Sequence, residues 1–434
     1  MPQSTPLPRG GFLVGGAVRD ALTGREPRDV DWLVERPEEE AGRAARALAV
    51  AGTAASAFVL DAERGHWRVV AGGLVCDYAP LKGDLDGELR RRDFTVNAVA
   101  AGLDGRLFDP LGGVRDLRAR RLRMTSEASL AEDPLRPLRG VRLAATLDLT
   151  IEPATRDAVR RLARRQAGGT HPLPAWERVR DELDLLLLDP AAARGLAQAD
   201  ALGLLDALLP ELAACRDVEQ GGFHHLDVLG HSLEALNQLV QGFPEADAAL
   251  RWATLLHDVG KPATRAPGED GRTHFYGHAR LGQRLAQAAL ARLRQPRALA
   301  TRVGSLVRYH MLPLPGGERE ARRFVHRRGT LLPDLLKLMI ADREAARGPL
   351  ASETRRQAYR LALARVLAIL NEPPPAAPLL DGEAVMHLLG IPPGPRVGEA
   401  LRLLREAEAV GDIATAEEAE ALLRRYAEAQ GWRP

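Results

Sequence analysis

Asp29 and Asp31 stand two apart beside the apolar run Trp32-Leu33-Val34, and upstream Phe12-Leu13-Val14 runs into Gly15-Gly16. In an extended chain, residues two apart share a face, so both carboxylates point the same way. A strand that enters a helix through two glycines leaves backbone that phosphate oxygens can approach closely. Paired hard oxygen ligands beside such a cradle suit Mg²⁺ and a nucleotide. Taken alone, the doublet fits equally a solvated strand edge beside an ordinary turn. Asp77, in Val75-Cys76-Asp77-Tyr78, offers a third carboxylate across the sheet. Arg91-Arg92-Asp93-Phe94-Thr95-Val96-Asn97 reads as a helix opening, capped by Asp93 or Thr95, with Asn97 in its first turn. Guanidinium forks there suit phosphate or ribose. Glu132-Asp133-Pro134-Leu135-Arg136 reads as another helix start, on which Asp133, Arg136 and Arg139 share a face with Arg142 nearby. That face could read a base edge, or be a solvated, ion-paired surface.

The elements that must position these groups divide the chain. Strand patterns at 12–14, 30–34, 58–60, 67–71 and 74–78, a helix at 38–50 and a tight hairpin turn at Gly72-Gly73 predict a small α+β unit. After Asp116 the strand patterns stop, and helical spacing appears at 135–147, 153–165, 175–188 and 191–209. A further helical block runs from Gly221 to about Gly348, around a loop at 263–277, and Glu372–Pro378 reads as a linker or tight turn. At 434 residues the chain exceeds one core. Its 60 Lys and Arg against 58 acids give a net charge of only +2, so a nucleic-acid partner requires the basic groups to be clustered. Cys76 and Cys215 are the only cysteines and offer no disulfide framework, which fits a reducing cytoplasm. No run is long and apolar enough to span a membrane, and the opening MPQSTPLPRGG lacks a signal-peptide pattern.

In order and spacing, Gly15-Gly16-Ala17-Val18-Arg19-Asp20, Asp29-Val30-Asp31, Arg91–Asn97, Asp109-Pro110-Leu111-Gly112-Gly113 and Glu132–Arg142 resemble the motifs of class II tRNA nucleotidyltransferases. That family includes bacterial poly(A) polymerases. Trp176–Leu183 resembles its fifth motif, which supports a helical neck. The resemblance implies that Asp29 and Asp31 bind catalytic Mg²⁺, with Asp77 helping to activate an RNA 3′-hydroxyl. It implies that Gly16 and Arg19 contact the triphosphate and that Arg92 and Asp93 face the sugar. Asp133, Arg136, Arg139 and Arg142 would read the incoming base. The fold expected is α+β: a nucleotidyltransferase head with a mixed sheet (1–125), then a helical neck (126–215), a helical second domain (216–348) and a helical tail (349–434). Only Ala79–Arg90 lies between Tyr78 and Arg91, which resembles members that add CC and lack a flexible loop there. Expected partners are tRNA and CTP, with ATP as the alternative nucleotide, and no membrane and no protein partner; full CCA addition, A addition and poly(A) synthesis are the alternatives.

A second cluster lies downstream. His257-Asp258 ends an apolar helix, and His231, His278, His310 and Asp342 sit on further helical stretches. The adjacent His-Asp pair with distant His and Asp partners resembles the HD phosphohydrolase superfamily. By that resemblance His231, His257, Asp258 and Asp342 hold one metal, and His278 and His310 add ligands for a second. Mixed imidazole and carboxylate donors suit Mn²⁺, Fe, Ni²⁺ or Co²⁺ over Mg²⁺. The expected task is removal of 2′,3′-cyclic, 2′- or 3′-phosphates from damaged tRNA ends; a structural domain is the alternative. His224, His225, His274 and His326 read as ordinary core histidines. Arg355, Arg356, Arg360 and Arg365 read as a tail surface for RNA phosphates, or as a solvated face.

Overall fold

The computed structural model describes residues 6–27, 29–221, 225–268, 273–346, 352–373 and 378–432. The chain forms two compact units. The first comprises residues 1–216, 244–251 and 288–300. It opens with β1 (Phe12–Val14), α1 (Gly16–Leu22), β2 (Asp29–Val34), α2 (Pro37–Val50), β3 (Ala55–Asp61), β4 (His66–Ala71), β5 (Leu74–Pro80), α3 (Leu85–Arg90), β6 (Ala100–Gly102) and β7 (Leu107–Phe108). These strands make one sheet in the order β3-β4-β5-β2-β1-β6-β7. It is mixed: β2 and β5 run parallel, and the other neighbours are antiparallel. The sequence patterns miss β6 and β7, which are too short, at Ala-Ala-Gly and Leu-Phe, to show alternation.

Alternation in β2 sorts its side chains. Val30, Trp32 and Val34 enter the core that Ala41, Ala44 and Leu48 of α2 cover, while Leu33 packs on the other face with Val14 and Leu89. Asp29 and Asp31 share Leu33's face by the same period of two. Pro37 in the first turn of α2 and the acids Glu38, Glu39 and Glu40 suit a helix N-terminus. Gly72 and Gly73 take φ of 55° and 87°, as a two-residue hairpin turn with both central residues left-handed requires.

The unit continues with α4 (Gly113–Arg118), α5 (Glu127–Glu132), α6 (Arg136–Thr146), α7 (Pro153–Ala167) and α8 (Trp176–Leu187). Three local expectations are corrected. Strands do not stop at Asp116, because Arg121–Leu122 pairs in parallel with Thr150–Ile151. Arg91–Asn97 opens no α-helix: a 3₁₀ turn, Thr95–Asn97, forms, while Thr95 N donates to Arg123 O and Thr125 N to Asp93 O. Tertiary pairing wins there over the capping pattern. Asp133 also lies outside the helix that holds Arg136 and Arg139. α5 ends at Glu132, and Asp133 is extended (φ −121°, ψ 113°), the conformation favoured before a proline.

The second unit comprises residues 217–243, 252–287 and 301–434, and among its described residues the regular elements are helices except for the short pair Ala266–Pro267 with Thr273–His274. Its last helices, Gly382–Leu389, Pro395–Val410 and Ala416–Ala429, close a core of their own around Val385, Ala400, Leu404, Ala419 and Leu423. His224, residues 374–377 of the expected linker and the 348/349 boundary lie outside the described residues. His225 and His326 are exposed rather than core, and His274 stacks on Tyr276 with centroids 5.1 Å apart. Among the described residues no helix is long and apolar enough to cross a membrane.

Candidate functional site

A cleft of about 1180 Å³ opens over the head sheet. Gly15, Gly16, Arg19, Asp29, Asp31, Arg92, Asp93, Asp133, Arg136, Arg139 and Arg142 all line it. Asp77 does not line it, although β2–β5 pairing sets it directly beside Asp31. Both Asp77 oxygens accept from Arg68, each at 2.7 Å. Gly15 has φ 70°, and a Cβ there would lie 2.6 Å from an Arg92 guanidinium nitrogen and 3.3 Å from Asp31 Oδ2. Only glycine leaves that approach open. Burial pushes the Asp31 carboxyl up to about 6; Arg92 opposes the shift, and Asp77 and Asp29 add to it. Crowded, partly desolvated carboxylates of this kind gain from a hard cation, so the donor set fits Mg²⁺.

The basic side of the cleft is held by three groups of hydrogen bonds and ion pairs. Arg19 Nη1 donates to Asn97 Oδ1 at 2.7 Å, and Asn97 Nδ2 donates to Asp93 Oδ1 at 2.9 Å. Asp93 Oδ2 lies 3.5 Å from Arg139. Arg139 Nε donates to Glu182 Oε1 at 2.9 Å, and Arg142 Nε donates to Glu182 Oε2 at 2.5 Å. Asp133 accepts two bonds from Arg178, at 3.1 and 2.6 Å, and one from Leu135 N. Burial would raise the Asp133 carboxyl, but these donors outweigh it and hold it below its usual range. Arg136 Nη1 donates to Ser129 Oγ at 2.7 Å, and Ser129 Oγ donates to Arg92 O at 2.5 Å. The base-reading expectation gave no part to Glu182 or Arg178. Their spacing of four on α8 suggests a pair with each other and gives no sign of the distant partners they take.

In the second unit, six side chains from five segments converge. His231 Nε2 lies 2.8 Å from Asp342 Oδ1, and His257 Nε2 lies 3.0 Å from Asp258 Oδ2. His278 and His310 present their Nε2 atoms 3.5 and 3.6 Å from Asp258 Oδ1. Two possible metal-holding groups result, His231-His257-Asp258 and Asp258-His278-His310, with Asp258 common to both. His257, His278 and His310 each direct Nδ1 to the carbonyl three residues earlier, of Thr254, Phe275 and Val307, at 2.7–2.8 Å. A carbonyl only accepts, so Nδ1 carries the proton and Nε2 turns a lone pair inward. Lone pairs facing carboxylate oxygens in a buried site call for a cation between them. His257 Nε2 and Asp258 Oδ1 are buried with no hydrogen-bond partner. Burial lowers the His278 pKa and favours the neutral ring a metal ligand needs. At His257 burial acts the same way, but the Asp258 charge outweighs it and raises the pKa. Lys261, which the sequence reading assigned no role, donates to Asp258 Oδ2 and to Gln220 Oε1, each at 2.6 Å.

Comparison with known proteins assigns the chain's domains to known families. The family "Poly A polymerase head domain" matches residues 68–123. "Probable RNA and SrmB- binding site of polymerase A" matches 148–216, and "HD domain" matches 224–347. An A-adding tRNA nucleotidyltransferase of Deinococcus radiodurans is 55% identical over 98% of both chains. A CC-adding tRNA nucleotidyltransferase of Thermus thermophilus is 47% identical over 96% of this chain and 93% of its own. The CCA-adding enzyme of Bacillus stearothermophilus in complex with CTP shares the fold, with TM-score 0.66 and 22% identity over 97% of this chain and 94% of that one. The chain therefore belongs to the class II tRNA nucleotidyltransferase and poly(A) polymerase family, as a member that carries an HD domain.

Proposed function

We propose that the chain, a tRNA 3′-end nucleotidyltransferase, builds part of the CCA end and adds its terminal A. The carrying observation for transfer is that one cleft gathers Asp29, Asp31, the Gly15-Gly16 backbone and the arginines of its basic side. In the reaction the RNA 3′-oxygen attacks the α-phosphorus, the bond to the pyrophosphate oxygen breaks, and pyrophosphate leaves. Asp29 and Asp31 would hold Mg²⁺, which when bound supplies charge stabilisation to the phosphates. Gly16 and Arg19 orient the triphosphate, Arg92 and Asp93 the sugar, and Asp133, Arg136, Arg139 and Arg142 the base. A addition is favoured by the relative that is 55% identical along nearly the whole chain. CC addition is the second reading. It is favoured by the Thermus relative and by the absence of a long loop: after β5, only residues 81–84 precede α3, which Asp84 caps through Gly87 N. A tRNA substrate fits a cytoplasmic protein.

The test uses purified protein, Mg²⁺ and two tRNAs, one ending in CC and one lacking the last three nucleotides. ATP joined to the first, with no CTP incorporated into the second, is expected. Two cytidines added to the shorter tRNA would establish the second reading, and a complete CCA end would overturn both.

The HD unit is assigned removal of 2′,3′-cyclic, 2′- or 3′-phosphates that block such ends. His231, His257, Asp258 and Asp342 would hold one divalent ion, and His278 and His310, with Asp258, a second. Mn²⁺, Ni²⁺, Co²⁺ or Fe suits these donors, and when bound would stabilise phosphate charge and acidify water. Asp258→Ala should abolish phosphate release while nucleotide addition continues. Loss of neither activity would leave the domain a structural role.

A further inference from the structure

The second centre opens into a cavity of about 630 Å³, and part of its wall belongs to a helix that hydrolysis itself does not require. Asp258, Lys261, His310 and Asp342 line one side. Arg343, which follows Asp342 in the chain, and Arg356 and Tyr359 of the helix Glu353–Leu370 line another. Arg356 and Tyr359 are three apart and share a helix face. Of the four tail arginines expected to meet RNA phosphates or solvent, Arg355 and Arg356 line this cavity.

The Arg343 guanidinium carbon sits 4.4 Å from the Tyr359 ring centroid, and Nη2 donates to Arg355 O at 3.0 Å. The packing fixes the cation in place, while Arg343 Nε and the Tyr359 hydroxyl stay buried without hydrogen-bond partners. Among the described residues Asp258 and Asp342 are the only acids lining the cavity, and both belong to the proposed ligand set. A single phosphate at the centre would be matched by the ions there and by Lys261. Arg343 and Arg356, with Arg355 beside them on the cavity wall, and the Tyr359 hydroxyl then remain for a second anionic group. Arginine forks match phosphate oxygens, and a half-enclosed cavity strengthens the pairing.

We propose that Arg343, Arg356 and Tyr359 form a subsite for the phosphate on the 5′ side of the terminal nucleotide. The second centre thereby selects RNA ends, with a phosphate on each side of the ribose, over mononucleotides that carry one. The identity of the scissile group rests on the hydrolytic reading above; the subsite rests on the cavity wall.

The full chain, loaded with Mn²⁺, is given cytidine 3′,5′-bisphosphate or cytidine 3′-phosphate, and loss of the 3′-phosphate is followed for each. The 5′-phosphate of the first stands in for the preceding phosphodiester. The native chain should favour the bisphosphate by about tenfold in kcat/KM, the scale of one charge-assisted contact. Arg356→Gln should bring the ratio close to one, and Tyr359→Phe should lower it part of the way. A ratio cancels any change in the folded fraction. No preference in the native chain, or a ratio that Arg356→Gln leaves unchanged, overturns the subsite. If neither compound is hydrolysed, removal of 3′-phosphates is excluded from the hydrolytic reading and calorimetric binding of the bisphosphate decides. Affinity about tenfold weaker in Arg356→Gln supports the subsite, and equal affinity overturns it.

Discussion

Glu182 is one carboxylate that fixes two arginines of the cleft, both proposed to read the base. It is 6% exposed, and its two oxygens are divided between Arg139 and Arg142. Glu182→Gln keeps the shape but offers a single acceptor oxygen and turns an amide N–H toward one cation. Breaking a buried pair costs about 3–5 kcal/mol, and about half of that is expected here because both arginines reach the cleft. Chemical denaturation should register the loss, and KM for the nucleotide should rise more than kcat falls, since positioning rather than phosphate chemistry is disturbed. A variant with native KM would remove Glu182 from substrate positioning. The acidic side of the cleft separates differently. Asp31 faces the cavity, whereas Asp77 beside it is already neutralised by Arg68. Asp31→Asn should therefore abolish addition, and Asp77→Asn should cost less, about 10²-fold, the lower end for a group assisting proton transfer. Equal losses in single-turnover assays would place Asp77 among the groups that touch the reacting atoms.

At the scale of elements, close approach sets the geometry. A Cβ on Gly140 of α6 would lie 2.5 Å from Phe94 Cζ, and Phe94 is fully buried between Asp93 and the Thr95–Asn97 turn. Gly140→Ala should cost about 1–3 kcal/mol by overpacking and shift the turn that holds Asn97 against Arg19. A lowered melting temperature together with weaker nucleotide binding is expected; weaker binding at native stability would contradict this coupling. These contacts also explain what was legible in the sequence. Alternation in β2 and the Gly72-Gly73 turn are local signals, and they placed Asp29 and Asp31 correctly. The Asp133 kink was local as well, written in the following proline, but the helical spacing of Arg136, Arg139 and Arg142 masked it. Glu182 could not be assigned, because its partners lie 40 and 43 residues away and an acid on an amphipathic helix ordinarily faces solvent. The histidines of the second unit were readable by type, while the tilt of each ring comes from a carbonyl three residues back that sequence leaves unmarked.

Over the whole molecule, the two centres should respond to different ions, and this separates them without any assay of turnover. The first is all oxygen and suits Mg²⁺; the second mixes imidazole with carboxylate and suits later divalent metals. In the second, buried lone pairs face one another, so folding without a cation works against electrostatic repulsion, and an ion that binds only the folded unit relieves it. An ion at 100 times its Kd adds about 2.7 kcal/mol to the stability of the structure it binds. A chain of two compact units need not melt in one step, so the quantity to follow is the shift of each transition. Mn²⁺ or Co²⁺ should raise one transition strongly, and a chelator should reverse the shift. Asp258 supplies an oxygen to both groups of ligands, so Asp258→Ala should erase the response, although Lys261 then loses its partner and the variant starts from lower stability. Asp29→Asn with Asp31→Asn should leave the Mn²⁺ shift of that transition as it was. A shift that survives Asp258→Ala but vanishes in the double variant would move the tight site into the head and remove the metal centre from the HD unit.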